Sequence, residues 1–329
     1  MMSKKPNVVT IGGGTGMPAV LSSLKYEDVD LSAIVTVGDD GGSSGVLRRR
    51  LQVVPAGDIR NSIAALSTLP KLDLEIFQAR FGKQDDFLAK HSIGNLILAA
   101  MEKKDHGIFP AVQDVAKAMK TRGKVYPACN GMITLYAKFT DGTTQKGESE
   151  ITYTGKDIRR LWVRDEHGHQ PQAVPEAIQA IKKADLIVLG PGSLYTSVMP
   201  NLMIPNLQQA VLESSAPVVY ICNVLTQKGE TMHYTDADHV KALDRQVGKR
   251  FVNYAIVNNA PVPKGAVDYR QHHEYSIQVK NDPAGFKPLA CRAITGDFLQ
   301  LSNHNANDNM KKVAKIVSRL AIQSMKNVK

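Results

Sequence analysis

Val37-Gly38-Asp39-Asp40-Gly41-Gly42-Ser43-Ser44-Gly45 is the stretch that decides the fold of this chain. An apolar, β-branched run from Leu31 to Val37 ends in two adjacent carboxylates, and a run of glycine and serine follows. A strand that empties into Asp39-Asp40 sets anionic oxygens at the carboxyl edge of a sheet, where open α/β sheets bind ligands. The glycine–serine run can turn successive backbone N–H groups toward an anion, because glycine reaches the conformations such a loop needs. Carboxylates for a cation beside amides for a phosphate point to a metal-assisted phosphate site. Asp39 and Asp40 are its candidate Mg²⁺ ligands, and Gly42, Ser43 and Ser44 its candidate phosphate contacts. Two other roles stay open: Asp39 on a ribose 2′-OH, or the acid pair as turn and N-cap residues.

The same transition from strand to glycine loop occurs at the start of the chain. Asn7–Ile11 reads as a buried parallel strand, Gly12-Gly13-Gly14-Thr15-Gly16 follows at once, and Pro18 to Leu24 opens a helix. This is the start of a nucleotide-binding βαβ unit, with Gly13, Gly14, Thr15 and Gly16 as ligand contacts. Met17 stands where G-x-G-x-x-G has its third glycine, and no Gly-Lys-Ser/Thr makes the loop a P-loop. The missing glycine and the doubled Asp weigh against an NAD-type oxidoreductase. Further on, the apolar strand Ala184–Leu189 runs into Gly190-Pro191-Gly192-Ser193-Leu194-Tyr195-Thr196-Ser197. Gly190, Gly192, Ser193, Thr196 and Ser197 suit phosphate or sugar oxygens; without G-x-S-x-G, Ser193 has no claim as a hydrolase nucleophile. The strand Pro217–Cys222 ends in a polar loop whose Asn223, Thr226 and Gln227 offer neutral hydrogen bonds to a base or sugar.

Between these loops, Pro55-Ala56-Gly57-Asp58-Ile59-Arg60-Asn61 reads as a turn, an N-cap (Asp58) and a first helical turn carrying Arg60 and Asn61. A helix start favours anions, so Arg60 is the candidate bidentate phosphate clamp. Ser92 caps another helix, on which Asn95 is either a ligand contact or a local backbone partner. His91 is either a base or a structural histidine. Residues 125–170 read as a β-rich insertion in an α/β frame, with Thr152 and Thr154 continuing the β character. Arg159, Arg160, Trp162 and Arg164 form either a recognition surface or a charged edge strand. His167 and His169 are a weak metal pattern. Pro261 to Phe298 reads as irregular, with His272-His273, and Asn307–Met325 as a basic amphipathic helix.

Composition bounds the rest. The 329 residues are 43% hydrophobic and 22% charged, enough for one large α/β domain over 1–329 with the insertion inside it. No apolar stretch reaches the roughly 20 residues that span a bilayer, and Val8–Ile11 is too short for a signal peptide, so a cytoplasmic protein is expected. Three scattered cysteines make neither a disulfide framework nor a structural zinc site. A net charge of +10 suits an anionic partner; without a nucleic-acid motif, phosphorylated small molecules are expected rather than specific nucleic acid. The expected fold is α/β: a Rossmann-like, three-layer α/β/α arrangement around a mostly parallel sheet.

Gly12–Gly16, Asp39–Gly45, Pro55–Asn61, Ser92-Ile93-Gly94-Asn95, Gly190–Ser197 and Asn223–Gln227, in this order, resemble the YvcK-like gluconeogenesis factor family. That family lies in the CofD-like superfamily with 2-phospho-L-lactate transferase, and the resemblance runs from about Asn7 to Asn258. It implies a modified Rossmann core and a cytoplasmic role in cell shape and wall metabolism on gluconeogenic carbon sources. It also implies binding of UDP-sugars such as UDP-N-acetylglucosamine. The transferase relatives imply the alternative: a Mg²⁺-dependent transfer from a nucleoside-diphosphate-activated substrate, with Asp40 as the catalytic metal ligand and Arg60 on the leaving phosphate. A two-fold homodimer is expected from relatives and from the frequency of such dimers.

Overall fold

The computed structural model describes residues 4–267, 277–302 and 305–327; His272 and His273 lie outside them. The strands among the described residues are β1 (Asn7–Gly12), β2 (Asp30–Val35), β3 (Lys124–Pro127), β4 (Ile133–Phe139), β5 (Thr144–Lys146), β6 (Ile158–Asp165), β7 (Leu186–Leu189), β8 (Val218–Ile221), β9 (Tyr254–Asn258), β10 (Arg292–Gly296), β11 (Leu299–Ser302) and β12 (Asn305–Asp308). Seven of them form one sheet in the order β10-β9-β8-β7-β1-β2-β3. Every neighbouring pair is parallel. Parallel strands covered on both faces need apolar residues at nearly every position, as β7 and β8 have: all four residues of each are buried.

Chain order fixes where a ligand can sit. From β1 the sheet grows one way through β2 and β3 and the other way through β7 to β10. The crevice where the winding reverses, between the carboxyl ends of β1 and β7, is the topological switch point. Helices α1 (Gly16–Leu24) and α2 (Gly42–Leu51) start from the loops after β1 and β2, and α3 (Gly57–Leu66) follows α2. Helix α1 packs against α3 and against the C-terminal helix Met310–Asn327. Its buried face is Met17, Val20, Leu21 and Leu24, a helical period.

Three sequence expectations change. The 125–170 stretch does not leave the main sheet at once, since Lys124–Pro127 pairs with β2 as an edge strand. The separate antiparallel sheet, β5-β4-β6, lies within Ile133–Asp165. Second, Glu148–Thr154 is helical despite its threonines. Its start is held from outside: Asp40 accepts hydrogen bonds from the backbone N–H of Glu148 (2.9 Å) and Ser149 (3.0 Å) and from Ser149 Oγ (2.8 Å). A tertiary cap overrides local propensity here. Third, Arg292–Gly296, inside the stretch expected to be irregular, pairs in parallel with β9. As an edge strand it buries little, so it lacks the apolar signature.

Asp40→Ala is expected to cost about 1–2 kcal/mol, the scale of a lost N-cap. Hydrogen exchange should rise across Glu148–Thr154 while β1 and β2 stay protected. Unchanged exchange in that helix would remove the capping role.

Candidate functional site

At the switch point the two glycine loops lie back to back. The N–H of Gly190 donates to the Ile11 carbonyl at 3.0 Å. A Cβ on Gly12 would lie 3.6 Å from Gly190 Cα, and one on Gly16 only 2.8 Å from the carbonyl carbon and oxygen of Pro191. A side chain at Gly13 would run into the Thr36 methyl group and, at 2.6 Å, Asp58 Oδ2. Gly14 has φ +64, a conformation that favours glycine, and donates its N–H to Asp58 Oδ2 at 2.7 Å. The N-terminus of α1 opens immediately beyond, and the first N–H groups of a helix have no intrahelical acceptor and so favour an anion.

The loop after β7 is held by the loop after β8. Glu230, buried, accepts from the Tyr195 N–H (2.9 Å) and from Thr196 Oγ1 (2.9 Å). Asn223 Nδ2 donates to the Gly192 carbonyl (2.9 Å), and Gln227 Nε2 donates to Ser193 Oγ (2.8 Å). Thr226 is buried, and its Oγ1 accepts from the Ile277 N–H at 3.1 Å. Asn201, fully buried, donates to the Ser197 carbonyl at 2.9 Å. Carbonyls and hydroxyls of the glycine loop are thus committed inside the protein, so the loop is rigid and its remaining groups face outward.

They face a cleft of about 750 Å³. One wall is Gly14, Thr15, Gly16, Ala19, Ser22 and Ser23 of the first loop and α1, and the second is Pro191, Gly192 and Ser193. The floor is Asn223 to Gln227. The third wall is Gln300 and Asn305–Asp308 of the β11–β12 hairpin, with Met310 and Lys311. This volume falls within the roughly 300–1,000 Å³ of small-molecule sites.

The remaining sequence candidates gather in an adjoining polar cluster, joined to the first glycine loop through Asp58. Asp39 Oδ1 accepts from the Gly41 N–H at 2.9 Å. A Cβ on Gly57 would come within 2.5 Å of Ser44 Oγ and 3.3 Å of Asp39 Oδ2, which places both against the start of α3. Burial pushes the Asp58 carboxyl up to about 6; the Gly14 N–H opposes the rise, the Asp39 charge adds to it and Arg60 opposes it. Glu148 is held well above the usual carboxylate range by burial and then by Asp39, Asp58, Glu230 and Asp40. Asn95 Nδ2 donates to Ser43 Oγ (3.0 Å), which lies 2.8 Å from Nδ1 of buried His91. Burial, then Arg50 and Arg80, lower the His91 pKa. The lowered pKa favours the neutral ring at pH 7, whose tautomer sets which of Nδ1 and the Ser43 hydroxyl is the donor. Arg60 is 4% exposed and donates to Ser92 Oγ and Asn61 Oδ1; burial, then Arg80, lower its pKa to about 10.

The cleft therefore brings together Gly14, Thr15, Gly16, Gly192, Ser193, Asn223, Thr226 and Gln227. Gly13, Gly190, Thr196 and Ser197 stand behind the loops as packing partners. Asp39, Asp40, Gly42, Ser43, Ser44, Arg60, Asn61 and Asn95 do not line it. Three residues escaped the sequence reading as site residues. Asp58 was visible only as a cap, and Glu230 only as part of a polar loop. Asp308 was taken into a helix that in fact starts at Met310. Nothing local marks their tertiary partners.

Comparison with known proteins extends the geometry. Residues 8–299 match the family profile described as 2-phospho-L-lactate transferase CofD. The gluconeogenesis factor of Bacillus subtilis is 43% identical over 316 residues, 96% of this chain and 98% of that protein. Two crystal structures of a UPF0052 family protein from Bacillus halodurans superpose with TM-scores of 0.91 and 0.90 at 40% identity. Each covers 95% of this chain and 99% of the other. Among the described residues, no helix is long and apolar enough to cross a membrane.

Proposed function

This chain belongs to the CofD family, and from that premise we propose that it binds nucleotide-sugars, UDP-sugars such as UDP-N-acetylglucosamine in particular, as a regulatory protein. On this reading it acts in the cytoplasm on cell shape and wall metabolism during gluconeogenic growth.

The observation that carries the reading is the chemistry of the cleft wall. Its glycine loops and the N-terminus of α1 suit a diphosphate, and its amides and hydroxyls suit a base and sugar. Among the described lining residues only Asp308 and Lys311 bring an ionisable group. The acids a transferase would use stand outside it. Asp40 already accepts three hydrogen bonds from Glu148 and Ser149, so its carboxylate is occupied by helix capping.

Transferase chemistry is the second reading, favoured by the family profile itself. Magnesium takes hard oxygen donors, usually one or two carboxylates together with phosphates and waters. Among the described residues, no group of three or more His, Cys, Asp or Glu is placed to hold a metal ion. Of the proposed pair, Asp39 keeps an oxygen, Oδ2, that accepts no hydrogen bond from the described residues. Asp39 would thus be the protein's ligand to Mg²⁺, and the ion would neutralise phosphate charge when bound.

Calorimetric titration with UDP-N-acetylglucosamine, with and without Mg²⁺, followed by analysis of the recovered nucleotide, separates the readings. Binding with the nucleotide-sugar recovered intact is the expected result. Release of UMP or UDP on addition of an acceptor would establish the transferase, and absence of binding would overturn the UDP-sugar assignment.

A further inference from the structure

The cleft wall farthest along the chain belongs to the β11–β12 hairpin, beyond the 8–299 span of the family match. Asp308 ends the second strand of that hairpin, paired with Leu299 at its open end. It is 7% exposed and lines the cleft, and no hydrogen bond or ion pair from the described residues reaches its carboxyl. Capping of the following helix does not explain it: Asn309 does that, accepting from the Lys312 N–H at 3.2 Å. Lys311, one turn on, lines the same cleft but forms no ion pair with it. A buried carboxyl without a partner costs stability, and such groups are retained at binding sites.

We propose that Asp308 is a ligand-binding residue of the cleft that holds the uncharged, hydrogen-bonding end of the nucleotide-sugar, its base or its sugar hydroxyls, through a protonated carboxyl group. The inference rests on the nucleotide-sugar reading above. An ionised carboxylate would repel a diphosphate held at Gly14–Gly16, whereas a neutral carboxyl both donates and accepts a hydrogen bond without that penalty. Burial supports the neutral form, pushing the group up to about 8. Its titratable neighbours among the described residues are Cys222 and Tyr220 at the end of β8, both pushed well up by burial, and Lys311.

The test is titration calorimetry at pH 7 of the wild type, Asp308→Asn and Asp308→Ala with UDP-N-acetylglucosamine, UDP and uridine. The amide mimics the protonated acid, so Asp308→Asn should bind within about threefold of wild type, while Asp308→Ala should lose about tenfold or more. A loss seen with uridine as well places the contact on the nucleoside; one confined to the nucleotide-sugar places it on the sugar. Raising the pH to 9 should weaken the wild type but not Asp308→Asn, a readout that stands even if the alanine variant fails to fold. Wild-type binding with Asp308→Ala unaffected overturns this inference alone. So does a loss in Asp308→Asn as large as in Asp308→Ala, since it would mean an ionised carboxylate. No binding by the wild type overturns the nucleotide-sugar reading, and this inference with it.

Discussion

Glu230→Ala is expected to destabilise the protein by about 3 kcal/mol or more and to weaken nucleotide binding at least about tenfold. Its carboxylate receives the Tyr195 N–H and the Thr196 hydroxyl, both from the loop that supplies Ser193 to the cleft. Truncation leaves two buried donors without their acceptor, each costing about 1–3 kcal/mol. The lesion is not confined to stability. Once Leu194–Val198 loosens, Gly192 and Ser193 lose the geometry they present to a ligand. Glu230→Gln keeps one acceptor oxygen and should recover roughly half of the loss. Urea unfolding gives the first quantity and calorimetry with UDP-N-acetylglucosamine the second. An alanine variant within about 0.5 kcal/mol of wild type would show that Glu230 does not hold this loop.

Gly16→Ala is the second large effect, and it acts by volume. The added methyl group would sit 2.8 Å from both the carbonyl carbon and the oxygen of Pro191. Backbone cannot swing aside as a lysine tip can, so the two glycine loops must separate. Overpacking of this kind costs about 1–3 kcal/mol. The larger consequence falls on the ligand. Moving the N-terminus of α1 away from Gly192 spreads the N–H groups that would converge on a phosphate, and an affinity loss of about tenfold or more is expected. Gly131→Ala is the control, because a Cβ there meets nothing within 4 Å. Equal affinities for the two variants would separate the loop packing from binding.

These expectations also show why the acid pair of the opening stretch divides. Asp39 and Asp40 are neighbours in sequence, but adjacent residues need not share a partner. Asp40 reaches more than a hundred residues along the chain to the helix Glu148–Thr154, while Asp39 turns back to Gly41 and stands near the start of α3. No periodicity could foretell that. Arg60 offers the same lesson from the other side. A first-turn arginine reads as a phosphate clamp, yet its guanidinium is buried on Ser92 and Asn61. That contact depends on how α3 packs against the helix Ile93–Asp105, which a local window does not contain.

What the amino-acid order determined by itself is the frame. Short apolar runs such as Ile187–Leu189 and Val218–Ile221, each followed by glycine or a polar loop, require buried parallel strands with their carboxyl ends on one edge. Two glycine loops on that edge already imply an anion site, because the signals lie within a few residues of each other and follow from backbone sterics. Tertiary structure alone decided which of the polar residues face the cleft. It set Asp40 to capping, Glu230 to holding a loop and Asp308 to the far wall, since buried hydrogen bonds are satisfied across the fold by groups far apart in the chain. The physical reason is range. Burial pattern and glycine stereochemistry are written locally, whereas the partner of a carboxylate is fixed only when the sheet is wound and residues far apart in the chain meet.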